Sequence, residues 1–268
     1  MARRRLDAEL VRRGLASSLQ WARAEIVAGR VTVGGAPADN EARLVAPAEP
    51  IVVLGPPPQF VGRGGDKLEA ALAAFEISVE GRRAVDLGAS TGGFTDALLQ
   101  RGASAVVAVD VGYGQLHERV RSDARVVALE RTNARDLVVS QVGDDVGVLV
   151  ADLSFISLRT VLPAIVGIVA PGADLVLLVK PQFEARRQEA ARGRGIITDP
   201  SVWRRVLEEV AAALDALGAA IMGVMTSPIT GADGNVEFLI HARAQPARPG
   251  APIADLISTA VEAAGAVS

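Results

Sequence analysis

Short valine-rich runs alternate with helical segments over the larger, carboxyl-terminal part of the chain. The runs read RRAVDLG, AVVAVD, RVVAL, VGVLVAD and DLVLLVK, in that order. Apolar runs of this length, with little polar alternation, are typical of parallel strands that are covered on both faces. Between Asp199 and Gly218, an apolar stripe of helical period predicts a long helix with a capping residue at each end. The pattern predicts an α/β domain with a mostly parallel, doubly wound sheet.

The amino-terminal segment has a different pattern. Apolar residues at helical spacing predict two short helices within residues 6–27, and Leu19 is expected on the buried face of the second. Gly14 and Gly29 stand where helix ends favour a left-handed residue. The runs RVTVGG and RLVAPAEPIVVL predict strands, and GPPPQF predicts a stiff linker. We therefore expect a small α+β module at residues 1–58, a linker at 59–62 and the α/β domain at 63–268.

Composition narrows the available chemistry. The chain has no cysteine and two histidines, so thiolate nucleophiles and zinc knuckles are excluded and no metal centre is expected. The most apolar stretch, TVLPAIVGIVAPGADLVLLV, contains two prolines and Asp174, and it predicts a buried helix, a turn and a strand rather than a membrane span. The start, MARRRLDAEL, has no apolar signal core, so a cytoplasmic location is expected.

The net charge of −3 conceals an asymmetry along the chain. Residues 1–31 contain seven arginines and three acidic residues, a net charge of +4, which leaves about −7 for the remainder. A basic module on an acidic body indicates a polyanionic partner such as RNA. A short run of charge also fits a solvated helix face, and charge alone does not separate these two interpretations.

The segment VDLGASTGGFTDALL has the outline of a nucleotide-binding turn after the first strand of the sheet. Its glycines do not follow G-x-G-x-x-G, and an acid at the strand end would repel a pyrophosphate. The cationic cofactor S-adenosylmethionine fits better, with a further acid after the second strand to bind ribose hydroxyls. An ordinary strand-to-helix turn is the alternative if the glycines are considered alone. The expected cofactor-binding residues are Asp86, Gly88, Ser90, Thr91, Gly92, Gly93 and Asp110.

Four charged residues indicate a reaction site at the same edge of the sheet. Asp152 follows the fourth strand and Lys180 follows the fifth, so their side chains can meet if these strands are neighbours. Lys67 falls in the first turn of a predicted helix, where the helix dipole disfavours a cation, and Glu237 could balance its charge. Structural salt bridges are the alternative for both pairs.

The motifs resemble those of two known families. RLDAELVRRGLASS followed by AGRVTVGGAPA resembles an S4 domain, a small RNA-binding fold, and residues 61–242 resemble the FtsJ-like RNA ribose methyltransferases, which have a Rossmann-like fold. The resemblance assigns the catalytic tetrad to Lys67, Asp152, Lys180 and Glu237. With RGGDKL, VDVGYGQL, LERTNARDL, VADLSFISL, LVKPQFE and GNVEFL, the whole chain resembles the TlyA family. That resemblance implies 2'-O-methylation of cytidine in 16S and 23S rRNA, within ribosomal subunits.

Arginine side chains are the expected RNA contacts, because guanidinium groups bind phosphate in a bidentate manner. C5-methylation of pyrimidines is disfavoured, since it usually requires a cysteine. Two other functions stay open: a membrane-active haemolysin, for which the sequence offers neither a span nor a strongly basic amphipathic helix, and an inactive S4-type adaptor. The expected RNA-binding residues are Arg3, Arg4, Arg5, Arg12, Arg13, Arg30, Arg63, Arg131, Arg135 and Arg187.

Overall fold

The computed structural model describes residues 3–16, 19–55, 58–193, 195–245 and 252–266. The chain divides into two compact units, residues 1–63 and residues 64–268. Each unit has its own buried apolar cluster.

Unit 1 is a small α+β fold with two helices and five very short strands among its described residues. The helices cover one side of a core that includes Leu6, Leu10, Ala22 and Ile26. Leu19 is the first residue of the second helix and is 47% exposed, so its predicted burial is wrong. The elements are β1 (Arg4–Arg5), α1 (Leu6–Arg12), α2 (Leu19–Val27), β2 (Val31–Val33), β3 (Ala36–Pro37), β4 (Leu44–Val45) and β5 (Ile51–Val53).

Unit 2 alternates strands and helices as the sequence pattern predicts. All five valine-rich runs form strands, from β6 to β10. The elements are α3 (Gly64–Ala74), β6 (Arg83–Leu87), α4 (Gly93–Gln100), β7 (Ala105–Val109), α5 (Glu118–Arg121), β8 (Val126–Leu129), a 3-10 turn (Ala134–Asp136), α6 (Val139–Val142), β9 (Val146–Ala151), α7 (Leu158–Gly167), β10 (Asp174–Val179), α8 (Pro181–Glu184), α9 (Arg187–Arg192), α10 (Pro200–Ala216), β11 (Ala219–Thr226), β12 (Phe238–Ala244) and α11 (Ile253–Gly265).

The described strands of unit 2 form one seven-stranded sheet in the order β11-β12-β10-β9-β6-β7-β8. Strands β6 to β10 run parallel, and β12 is antiparallel between β10 and β11. From β6 the chain first proceeds to β7 and β8 on one side, and then returns to β9 and β10 on the other. In a doubly wound sheet such a reversal opens a crevice at the carboxyl ends of the central strands, which are here β6 and β9.

Apolar side chains from the helices cover the sheet. The long helix α10 is capped as predicted: the Asp199 carboxylate accepts a hydrogen bond from the Ser201 amide at 2.8 Å, and Trp203, Val206 and Leu214 are buried. The apolar stretch that might have suggested a membrane span forms α7, a turn and β10. In the described part of the chain, no helix has both the length and the apolar character needed to cross a bilayer.

Candidate active site

A pocket of about 410 Å³ lies in the crevice between β6 and β9. Its wall comes from the loops after β6, β7 and β9 and from the segment around the 3-10 turn, and it includes Gly88, Asp110, Asn133 and Asp152. All of these loops follow the carboxyl ends of parallel strands. The pocket therefore lies where doubly wound sheets bind their ligands.

Gly88 and Asp110 fix the shape of the pocket on one side. Gly88 has a φ of +83°, and a Cβ atom there would lie 2.4 Å from the carbonyl oxygen of Asp152. The Asp110 carboxylate accepts hydrogen bonds from the amides of Ser90 and Gly112, each at 2.7 Å. Because each carboxylate oxygen has a second lone pair, Asp110 retains acceptor capacity toward a ligand.

Three of the seven expected cofactor residues, Gly88, Ser90 and Asp110, line this pocket. The other four lie elsewhere in the loop. The Thr91 carbonyl accepts a hydrogen bond from the His117 amide. Gly92 caps α4 with a φ of +95°, and the side chains of Leu116 and Val120 lie beside it. Gly93 is buried as the first residue of α4. These residues shape the turn and are not part of the pocket wall.

Asp86 is buried completely below the loop, away from the pocket wall. One of its oxygens accepts a hydrogen bond from the Thr95 hydroxyl at 2.6 Å, and the other has no partner among the described residues. Burial raises the pKa of Asp86 to about 7, and repulsion from Asp152 adds to this effect, while the Thr95 hydrogen bond opposes it. The sequence correctly identified the end of the strand, but not that this carboxyl group points into the protein.

Asp152 and Lys180 meet as predicted, because β9 and β10 are neighbours. The Nζ atom of Lys180 lies 2.6 Å from Oδ1 of Asp152, in an ion pair that lacks hydrogen-bond geometry. The same Nζ atom donates a hydrogen bond to the Ser154 hydroxyl at 2.9 Å. Asp152 and Ser154 also line the pocket. Lys180 is thus held by two residues of the pocket wall but does not line the pocket itself.

Lys67 and Glu237 form a second, more deeply buried pair. Their Nζ and Oε2 atoms are 2.5 Å apart, and the two side chains are 9% and 3% exposed. Glu237 immediately precedes β12 rather than lying within it. Since Val179 pairs with Phe238 in the antiparallel register, the next position along places Lys180 opposite Glu237. The four predicted tetrad residues thus belong to one cluster.

Lys67 and Lys180 are the two lysines of this chain, which has 26 arginines. An arginine keeps its proton in proteins, whereas a lysine amine can give up or accept one. Both lysines thus belong to the charged cluster, and outside it every basic side chain is an arginine or a histidine. This distribution favours a chemical role for the cluster over a pair of structural salt bridges.

The pocket wall suits a cationic or neutral ligand. It contains the carboxylates of Asp110 and Asp152, and no lysine or arginine among the described residues lines it. A pyrophosphate would meet uncompensated repulsion here, whereas the ammonium and sulfonium groups of S-adenosylmethionine would be attracted. The glycine at residue 88 lets the loop after β6 lie directly against the main chain of Asp152, which brings the two loops of the pocket wall together.

The loop of residues 152–157, which we call the β9–α7 loop, contributes more to the site than the sequence indicated. Ser154 binds Lys180, and Phe155 is 92% exposed at the pocket, with a φ of +63° and its ring 5.2 Å from that of Phe183. Asn133 and Gln115 also line the pocket. These residues lie within motifs recognised in the sequence, but spacing gives no sign of which side chains face the ligand.

Most arginines of unit 1 that were expected to bind RNA are paired with buried carboxylates. Arg5 lies 2.9 Å from Asp7, Arg12 lies 2.6 Å from Glu9, and Arg30 lies 2.5 Å from Glu25. Hydrogen bonds from Arg5, and from Arg12 and Arg13, lower the pKa values of Asp7 and Glu9 to about 2. The positive charge of this segment is therefore largely compensated within the unit.

Arg13 also pairs with Glu9, at 2.7 Å, but it has further main-chain contacts, whereas Arg3 and Arg4 are not ion-paired among the described residues. The Arg13 side chain is 20% exposed and donates to the carbonyl oxygens of Ala46, Pro47 and Glu49, so its role is structural. Arg3 and Arg4 are exposed, and neither side chain has a recorded partner among the described residues. They are the unit 1 arginines that are best placed to meet a polyanion.

The remaining expected RNA contacts are spread over both units. Arg63 is partly buried at the end of unit 1. In unit 2, Arg131 is exposed and its guanidinium lies 4.4 Å from the centre of the Tyr113 ring, in a cation–π contact. Arg135 is exposed in the 3-10 turn, and Arg187 is exposed at the start of α9.

Comparison with known proteins gives this geometry a family. Residues 60–244 match the FtsJ-like methyltransferase family, and residues 4–51 match the S4 domain. The 16S/23S rRNA (cytidine-2'-O)-methyltransferase TlyA of Mycobacterium tuberculosis is 51% identical over 91% of this chain and 92% of that protein. Hemolysin A of Brachyspira hyodysenteriae is 39% identical over 88% of this chain and 98% of that protein.

A solved structure from Streptococcus thermophilus, also named a hemolysin, superimposes with a TM-score of 0.79 at 38% identity, covering 98% of this chain and 96% of that one. All three relatives align with at least 88% of this chain, whichever name they carry. The chain belongs to the FtsJ-like methyltransferases and, with its S4 domain, to the TlyA family of rRNA methyltransferases.

Proposed function

We propose that this protein transfers a methyl group from S-adenosylmethionine to the ribose 2'-hydroxyl of cytidines in 16S and 23S rRNA. The observation that carries this proposal is the position of Asp152, which lines the pocket and contacts Lys180 Nζ at 2.6 Å. One residue thus connects a pocket suited to the cofactor with a candidate proton acceptor. The activity of the Mycobacterium tuberculosis relative supplies the substrate class.

The cofactor, when bound, supplies an electrophilic methyl group on a sulfonium centre. Gly88, Ser90 and Asp110 are the residues that we assign to its binding. Asp110 would accept hydrogen bonds from the ribose hydroxyls, since both of its oxygens have a free lone pair after binding the amides of Ser90 and Gly112. The absence of a side chain at Gly88 lets the Asp152 main chain lie against this loop, and so sets the distance between the proposed cofactor site and Asp152.

The reaction requires a weakly acidic hydroxyl to lose its proton during attack on the methyl group. In our proposal Lys180 first releases a proton to solvent, and its neutral amine then receives the 2'-hydroxyl proton while the oxygen bonds to the methyl group and the methyl–sulfur bond breaks. Asp152 stabilises the ammonium that results. Ser154 holds Nζ in place through its hydroxyl. The buried Lys67–Glu237 pair would position the ribose and fix the charge around Lys180. Holding the two reactants in line is worth up to roughly 7–11 kcal/mol in favourable cases.

We further propose that the substrate is rRNA in ribosomal subunits in the cytoplasm, and that residues 1–58 act as an S4 module that binds RNA. Arg3 and Arg4 of this module, with Arg131, Arg135 and Arg187 of unit 2, are exposed and can meet phosphates. In this proposal the paired arginines of unit 1 stabilise the module.

Transfer of labelled methyl from S-adenosylmethionine to purified 30S and 50S subunits that lack the modification tests this proposal. The expected product is 2'-O-methylcytidine, identified after nuclease digestion. Lys180→Ala should abolish it while retaining cofactor binding, since Lys180 is absent from the pocket wall. Measurable cofactor and RNA binding without methyl transfer to any subunit or naked rRNA would instead indicate an inactive adaptor.

A further inference from the structure

Glu184 is a buried carboxylate one helical turn beyond Lys180, at the end of α8. It is 4% exposed. Its Oε1 atom accepts a hydrogen bond from the Leu158 amide at 2.5 Å, and its Oε2 atom accepts one from the Ser157 hydroxyl at 2.5 Å. Arg159 adds contacts to Oε2 at 3.3 Å and to the Glu184 carbonyl at 3.0 Å. Every contact is made to the end of the β9–α7 loop or to the first turn of α7.

This arrangement replaces the ordinary cap of α7. A serine before a helix commonly accepts a hydrogen bond from the first turn through its own hydroxyl. Ser157 makes no such bond and donates its hydroxyl to Glu184, while the Glu184 carboxylate accepts the free amide of Leu158. The start of α7 is therefore fixed by the segment that carries Lys180.

The β9–α7 loop is consequently held at both ends and in its middle. At its start, the Asp152 amide donates to the Leu87 carbonyl at 2.9 Å. In its middle, Ser154 accepts from Lys180. At its end, Glu184 binds Ser157 and Leu158. Lys180 and Glu184 are four residues apart, so the turn Pro181–Glu184 contacts the loop at two points.

We propose that Glu184 is a positioning residue for the methyl transfer: through Ser157 and Leu158 it holds Asp152 and Ser154 in contact with Lys180. Its influence on Lys180 is indirect, because its recorded contacts are to the loop and to Arg159. The kinetic part of this inference rests on the proposed function, whereas the positional part concerns only the geometry of Lys180.

The first measurement is carbon NMR of protein labelled at lysine Cε, which should give two signals because the chain has two lysines. Lys67→Arg and Lys180→Arg variants assign them. In Glu184→Gln an NH2 group replaces one of the two carboxylate oxygens. This group cannot accept the hydrogen bonds that Ser157 and Arg159 donate, so these contacts weaken. The Lys180 signal should shift or broaden, and the Lys67 signal should stay in place.

The second measurement is single-turnover methyl transfer with the same variants. Glu184→Gln should lower the rate at saturating substrate by about 10- to 100-fold, because small misplacements of reacting groups have effects of this size. Cofactor affinity should fall by less than the rate, since Gly88, Ser90 and Asp110 lie outside the β9–α7 loop that Glu184 holds. In the double variant Glu184→Gln with Ser154→Ala, the fold-loss in rate should be smaller than the product of the two single fold-losses, because both changes release the same contact.

Glu209→Gln is the matched control. Glu209 binds Arg159 at 2.7 Å on the outer side of the same network and makes no recorded contact with the β9–α7 loop, so this variant should leave both signals and the rate unchanged. An unchanged Lys180 signal in Glu184→Gln overturns the inference, even if the wild-type protein proves inactive. A shifted signal with a rate within twofold of an active wild type overturns it as well.

Discussion

Gly88 lies against the main chain of Asp152, so close that a Cβ atom at Gly88 would stand 2.4 Å from the Asp152 carbonyl oxygen. The loop after β6 and the loop after β9 are in contact at this point. One loop contributes residues to the proposed cofactor site and the other carries the partner of Lys180. The relative position of cofactor and candidate base therefore depends on a glycine at residue 88.

Gly88→Ala should abolish methyl transfer and weaken cofactor binding strongly. The new methyl group would have to displace main-chain atoms, because the obstructing oxygen belongs to the backbone, and alanine would adopt a left-handed conformation that costs about 1–3 kcal/mol. Calorimetric cofactor titration and thermal unfolding would measure both effects.

Gly81→Ala separates backbone strain from steric contact at Gly88. Gly81 has a φ of +70°, but nothing lies within 4 Å of a Cβ atom there. This variant should lose only about 1 kcal/mol of stability and keep its cofactor affinity. Equal losses of cofactor affinity in the two variants would contradict the role assigned to the Gly88–Asp152 contact.

Lys180→Arg should be as inactive as Lys180→Ala. Arginine retains the positive charge and can pair with Asp152, but its guanidinium does not accept a proton at physiological pH. If the charge alone were needed, Lys180→Arg would keep a substantial fraction of the single-turnover rate. Rates measured from pH 6 to 10, together with cofactor affinity as the test of folding, distinguish the two cases. Asp152→Asn is the companion variant, and it should lower the rate without removing the amine.

The sheet and the reaction site were predictable because both follow from strand ends. Valine-rich runs marked β6 to β10, and the carboxyl ends of parallel strands lie at one edge, so Asp152 and Lys180 could be placed together from the sequence. From the residues alone, Glu237 was proposed only as a charge that could balance Lys67, and its place in the tetrad came from family resemblance. Its approach to Lys67 depends on the antiparallel register of β10 and β12.

Side-chain direction was the part that the sequence did not reveal. Asp86 and Asp110 lie near the carboxyl ends of neighbouring strands, but the first is buried under the loop and the second lines the pocket. Similarly, Arg13 and Arg4 are both part of a basic sequence, and only the structure separates the arginine that binds backbone carbonyls from the exposed one. Such distinctions depend on packing partners that are distant along the chain.

The arginines of unit 1 should therefore separate into two classes. Replacing Arg3 and Arg4 with glutamine should weaken RNA binding and reduce the slope of log K against log salt by up to about 2, without loss of thermal stability. Arg13→Gln should instead destabilise the unit by about 2 kcal/mol, because three carbonyl oxygens lose a charged donor. Salt-dependent RNA titration and urea unfolding measure these effects. A lower unfolding midpoint in the Arg3 and Arg4 variant would contradict this division.

Asp86 should make the stability of unit 2 decrease as the pH rises. Its pKa is raised to about 7 in the folded protein by burial, against about 3.9 in an unfolded chain, so the folded state binds the extra proton between these values. Stability contributed by the neutral carboxyl group is present near pH 4 and is lost as the pH rises toward 7.

Asp86→Asn mimics the neutral form and can still accept the Thr95 hydrogen bond. It should stabilise unit 2 by about 2–3 kcal/mol more at pH 8 than at pH 5. Urea unfolding at the two pH values measures the difference. Asp110→Asn is the contrasting variant, since Asp110 lines the pocket and its replacement should weaken cofactor binding at both pH values. If the effect of Asp86→Asn were the same at pH 5 and pH 8, the carboxyl group would have to titrate alike in the folded and unfolded protein, and this prediction would be contradicted.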